Sequence, residues 1–162
     1  DKTDWAGNEA LSANDLDGAL GMKHGELANG VKIDKGLVEV SRRYGRTGHL
    51  DVRVRAEAQF DDAASRVSYE IAVKEGPQYK MGKLTIKGLN EADAQSLEAR
   101  WKLRNGEVFD TSYTERFFRT DAGEAMQRIM SARQAQRKGP PDIQITPNRQ
   151  NLNADVTIEF RN

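Results

Sequence analysis

The chain repeats itself once, at an offset of 81 residues, so its fold must be one that half the chain can build twice. Residues 7–27 read GNEALSANDLDGALGMKHGEL and residues 88–108 read GLNEADAQSLEARWKLRNGEV. Laying Gly7 on Gly88 also sets Leu16 on Leu97, Lys23 on Arg104, Gly25 on Gly106 and Glu26 on Glu107. Identity is low, but the kind of residue is kept.

The order of hydrophobic periods repeats as well. Ile33, Leu37, Val40 and Tyr44 in the first half, and Phe118, Ala122, Ala125 and Ile129 in the second, step by three and four residues, as one face of a helix does. Alternating runs follow. Val52, Val54, Ala56, Ala58 and Phe60 interleave with Arg53, Arg55, Glu57 and Gln59, and after the loop DDAAS the run Val67, Tyr69, Ile71, Val73 alternates again. The second half offers Ile143 and Ile145, the loop PNRQN, then Leu152, Ala154, Val156, Ile158 and Phe160. A strand ahead of the first helix is expected at Leu84 to Ile86 and, in shorter and more polar form, at Asp4-Trp5-Ala6-Gly7. Ser12 and Asn90 have the short oxygen-bearing side chains that cap helix N-termini. The expected class is α+β: two tandem β-α-α-β-β repeats, each a three-stranded mixed sheet with two helices packed on one face.

Between the halves stands VKEGPQY. Pro77 cannot donate to a sheet ladder and Gly76 frees the backbone, so the strand ending at Lys74 stops there and another begins after Tyr79. Glu75, Gly76, Pro77 and Tyr79 therefore read as a seam between domains 1–78 and 79–162, with almost no linker. Tyr79 is the residue expected to pack one repeat on the other.

Composition narrows the function. Leu, Ile, Val and Phe make up 32 of 162 residues, close to a disordered composition, but 25 basic and 25 acidic side chains cancel, which favours a polar folded protein. That balance also argues against nucleic acid, whose binding draws on phosphate neutralisation. Residues 1–78 carry 11 basic and 14 acidic side chains and residues 79–162 carry 14 and 11, so the halves have opposite sign. Cysteine is absent, and the two histidines, His24 and His49, lack metal-ligand spacing. Neither a phosphate-binding glycine loop nor a nucleophile elbow occurs, and the paired acids Asp15/Asp17 and Asp61/Asp62 sit where helix starts and turns take acids. No enzyme, cofactor or metal is expected. A chain that opens on Asp1 with no signal peptide reads as a piece of a longer one.

Three stretches together resemble the POTRA (polypeptide-transport-associated) repeats of the outer-membrane assembly and translocation proteins, the surface-antigen family. They are the repeated turn into the first helix, Tyr44-Gly45-Arg46-Thr47-Gly48-His49-Leu50, and above all VxYEIxVKEGPQYxxGxLxIKG over residues 67–88. His49 stands where that family usually has an aromatic residue. Residues 131–141 replace the aromatic-glycine corner in the second repeat, and no Glu-Gly-Pro follows Phe160, which leaves open what comes next.

The resemblance implies a non-enzymatic periplasmic scaffold of an outer-membrane β-barrel assembly or secretion protein. Its partners would be unfolded outer-membrane or secreted polypeptides, accessory assembly proteins and a C-terminal β-barrel of the full chain. The alternative is a structural interaction module of a cell-envelope or division complex. Binding is expected by strand addition at the second strand of the first repeat, residues 51–59, through Val52, Arg53, Val54, Arg55 and Ala56, in a groove shared with the helix that carries Leu37 and Tyr44. Arg53 and Arg55 would steer an acidic partner or merely keep the edge from aggregating. The counterpart in the second repeat is bracketed by Pro140, Pro141 and Pro147. The run RQAQRKG, with Arg128 upstream, reads as a solvated helix end, with anionic lipid headgroups as the alternative.

Overall fold

The computed structural model describes residues 3–23, 25, 29–136 and 138–161. The chain divides into two compact units, Asp1–Pro77 and Gln78–Asn162. In the first, β1 (Thr3–Ala6) leads to α1 (Ala13–Leu20), α2 (Gly30–Arg46), β2 (Arg53–Asp61) and β3 (Arg66–Lys74). Its sheet has the order β1-β3-β2, with β1 parallel and β2 antiparallel to the central β3. In the second, β4 (Lys80–Lys87) is followed by α3 (Glu91–Glu98), α4 (Thr111–Arg119), α5 (Gly123–Ala135), β5 (Asp142–Asn148) and β6 (Asn153–Glu159). The sheet order β4-β6-β5 has the same mix of one parallel and one antiparallel pair. The α+β tandem expected from the periodicities is what the chain forms.

The aligned residues do equivalent work. Leu16 and Leu97 are fully buried. Ser12 and Asn90 cap their helices, accepting the N–H of Asp15 and Asp93 at 3.2 and 2.9 Å. Gly7 and Gly88 each end a parallel strand at φ +81° and +79°, with the carbonyl oxygens of Val73 and Phe160 only 2.2 and 1.9 Å from where a Cβ would stand. Both positions need glycine for backbone conformation and for close approach. In each unit this residue lies beside the end of the last strand, so sequence offset and sheet register agree.

The second unit departs in one respect. The stripe through Phe118, Ala122, Ala125 and Ile129 is shared between α4 and α5 rather than lying on one helix. The chain leaves the helix at Thr120 and re-enters it at Gly123, whose φ is +43°. Asp121, in the break, accepts from Tyr113 Oη at 3.0 Å and from Lys102 Nζ at 2.5 Å, and the Tyr113 oxygen accepts the Lys102 N–H at 2.8 Å. The Lys102 bond, with the Tyr113 hydroxyl, holds the Asp121 carboxyl below its usual range. Because α4 is separate, Phe117 fills the core and Phe118 is only half-buried, a correction to the sequence pattern. Trp101 stacks edge-on against both Tyr113 and Phe117.

In the first unit, α1 and α2 come close at Gly36, where an added Cβ would lie 2.3 Å from the Leu20 carbonyl oxygen. Ile33, Val40 and Tyr44 of α2 pack with Leu16, Leu20, Ile71 and Val73 into the core. The C-terminal turn of α2 is then fixed to the chain just past β3. Tyr44, fully buried, donates its hydroxyl to Glu75 Oε1 at 2.9 Å, and the Ala10 N–H donates to the same oxygen at 2.8 Å. Burial, followed by the hydrogen bond and charge of Glu75, raises the phenol far above its ordinary value, so it stays a donor. His49 closes the corner. Its N–H donates to the Tyr44 carbonyl, and its ring meets the tyrosine edge-on at 5.8 Å, where an aromatic was expected.

Three substitutions test this packing. Gly36→Ala is expected to destabilise by about 1–3 kcal/mol, because backbone must move. Gly18→Ala in α1, where nothing lies within 4 Å, should be neutral or stabilise by up to about 1 kcal/mol; chemical denaturation distinguishes the two. Tyr44→Phe should cost about 1–3 kcal/mol, and a double-mutant cycle with Glu75→Ala should show most of that loss as coupling. The unfolded tyrosine ionises near pH 10 and the folded one does not, so the Tyr44 contribution is complete below about pH 10 and declines above it.

Candidate functional site

A three-stranded sheet has two edges, and each exposes unpaired backbone unless something covers it. Of the four edges here, β4 is covered by its own chain. Met81 N–H donates to the Glu107 carbonyl, Gly106 N–H to the Met81 carbonyl and Phe109 N–H to the Tyr79 carbonyl, all within 2.7–3.0 Å. The edge strand β5 contains Pro147, paired with Ala154, and follows Pro140 and Pro141. Proline removes ladder donors there. The edge strand β1 is only four residues long. That leaves β2: nine residues, no proline, and no strand on its outer side among the described residues.

The pleat of β2 sorts its side chains. Val54 and Ala56 are half-buried and pack on the core, whereas Arg53, Arg55 and Glu57 are exposed on the other face. Val52, expected as part of this strand, precedes it, because pairing with β3 begins at Arg53 opposite Lys74. It still packs against the core. The core face fades toward the hairpin, where Ala58 is exposed and Phe60 is 76% exposed.

Beside the edge lies one flank of α2. Gly36 turns toward α1, and each residue advances the helix by about 100°. Val38 therefore faces away from α1 and Leu37 lies to its side, and α2 is the helix that packs on β2. Leu37 and Ser41 are half-buried, Val38 is 53% exposed and Val31 is 64% exposed. Leu37 packs against the core, and Val38, which the core stripe did not single out, is an exposed apolar residue next to it on the helix. Tyr44 is not a groove surface: it is wholly buried and committed to Glu75.

The other singled-out residues fall elsewhere. Glu75 serves the first unit's own joint, and Gly76, at φ +71°, turns close beside Asp51 just ahead of β2. Tyr79 is fully buried. In the basic run, Arg133 is not solvated: it is 6% exposed, donates to the carbonyls of Gly139 and Arg161, and lies over the Phe160 ring. Arg128 pairs with Asp93 at 2.7 Å. Arg137, His24 and Glu26 lie outside the described residues. Among the described residues, no cluster of metal-ligating side chains occurs and no helix is long and apolar enough to cross a membrane.

Comparison with known proteins agrees with this architecture. Residues 1–76 match the POTRA family model, described as the surface antigen variable number repeat. A putative outer membrane protein assembly factor of Treponema pallidum is 24% identical over 106 residues, which is 65% of this chain and 13% of that protein. The chain therefore spans about an eighth of the relative's length. Among solved structures, Haemophilus influenzae BamA POTRA3-5 superposes with a TM-score of 0.69 at 18% identity, covering 98% of this chain and 63% of that one. BamA from Haemophilus ducreyi lacking POTRA domains 1-3 gives 0.61 at 14% identity, over 91% and 26%. The first repeat matches the POTRA family model, and the two units together share the fold of the solved BamA POTRA repeats.

Proposed function

We propose that this tandem is a non-catalytic periplasmic scaffold in outer-membrane protein assembly, and that its first repeat receives an extended segment of a partner polypeptide along β2. The observation that carries this reading is the edge itself: nine proline-free residues with no strand on the outer side among the described residues, in a strand on which α2 packs. An added strand would pair its backbone with β2 and lay alternate side chains against Leu37, Val38 and Ala56. Main-chain pairing is tolerant of sequence, as a scaffold that meets many unfolded clients requires. The similarity to an assembly factor and to BamA repeats supports the setting.

The partners in this reading are unfolded outer-membrane or secreted polypeptides, with accessory assembly proteins docking elsewhere on the repeats. A β-barrel further along the full chain would anchor the pair. Lipid contact is the weaker element, since Arg128 and Arg133 are already engaged within the second unit.

An NMR titration with strand-forming peptides from outer-membrane proteins, against scrambled controls, tests the reading. Shifts are expected at residues 53–61 and 37–41. Val54→Pro should weaken binding about tenfold or more, and Val38→Lys, at an exposed position that spares the core, should weaken it several-fold. Unchanged binding in both folded variants would sink the proposal.

A further inference from the structure

On the outer face of the first sheet, charges of one sign stand opposite each other. Arg53 is paired in register with Lys74. Glu57 is opposite Glu70, and Glu70 is opposite Asp4 of β1. Between these rows Arg55 faces Ala72, and Ala72 faces Ala6. The two alanines help form the floor of a concavity of about 460 Å³ on this face, bordered by Arg55 and by the carboxylates of Asp4, Glu57 and Glu70. Like charges directly opposite destabilise a sheet, and opposite charges stabilise it. Arg53, Arg55 and Glu57 are exposed and form no ion pair among the described residues.

The edge strand is thus left with the ordered sequence of charges plus, plus, minus at residues 53, 55 and 57, all on one face. A strand added beside β2 brings its own outward side chains next to these three. We infer that the first repeat selects its partner strand by the order of charges: one basic residue followed, at alternate positions, by two acidic ones, added antiparallel to β2. In that direction the basic residue meets Glu57 and the acids meet Arg55 and Arg53. Antiparallel pairing is also the more stable per residue. The inference rests on the reading of β2 as the addition edge and adds to it the chemistry and direction of the occupant.

The test uses three peptides with identical inward-facing apolar residues. Their outward residues are Lys-x-Glu-x-Glu, the reversed Glu-x-Glu-x-Lys, and the uncharged Thr-x-Thr-x-Thr. At low ionic strength the base-first peptide should bind about tenfold more tightly than its reversed isomer, with the uncharged one between them. The difference should shrink in high salt. Exchanging the charges, with Arg53→Glu and Glu57→Arg together, should reverse the preference, and both positions are exposed enough for the variant to fold. If all three peptides shift the β2 amides with equal affinity, or the acid-first isomer wins, the charge-order inference is overturned while the addition edge stands. If none of the three peptides moves the β2 amides, the addition edge itself is refuted, and the inference with it.

Discussion

Each repeat depends on fastening the C-terminal turn of its long helix to the chain just beyond its last strand. A helix packed on a small sheet through a modest core is otherwise free to slide, because apolar contact is not directional. In the first repeat the fastening is Tyr44 donating to Glu75, with Ala10 held by the same carboxylate oxygen. In the second it is Arg133 donating to the carbonyls of Gly139 and Arg161 while covering Phe160. The chemistry differs, yet the Tyr44–Glu75 and Arg133–Arg161 bonds each join the helix end to the chain just past the last strand, from a buried side chain, where a directional bond is worth most. The position of α2 over β2 depends on this joint.

The same topology is used in two ways. Both repeats expose an antiparallel edge strand, but the second places Pro147 in its strand and covers its other edge with residues 106–109. The first leaves β2 long, free of proline and, among the described residues, with no strand on its outer side, and it carries exposed charge there. Charge is a sound guard against indiscriminate pairing, and it discriminates only if its order matters. The like-charge rows across the sheet give that order a physical basis.

Much of the architecture was legible because it rests on local chemistry. The offset between Gly7 and Gly88 is visible in the chain, and only the register shows that both meet a carbonyl where no Cβ fits. Ser12 and Asn90 could be recognised as caps from their side chains alone. The pattern misled where a neighbouring residue competed for the same place. Phe118 continued the helical step, but the break at Asp121 gave the core position to Phe117. Val52 continued the alternation although the ladder begins at Arg53. Arg133 looked like a solvated cation until two carbonyls and a ring from distant residues surrounded it.

The sequence by itself determined the duplicated β-α-α-β-β plan, its strand periods and the Gly-Pro stop, since these follow from backbone preferences and short-range spacing. Only the tertiary structure decided which edges stay open, that Tyr44 is an internal joint rather than a groove surface, and that Arg53 faces Lys74 while Glu57 faces Glu70. The reason is that edge exposure and cross-strand charge are properties of pairs far apart in the chain. No local pattern encodes which pairs the fold will bring together.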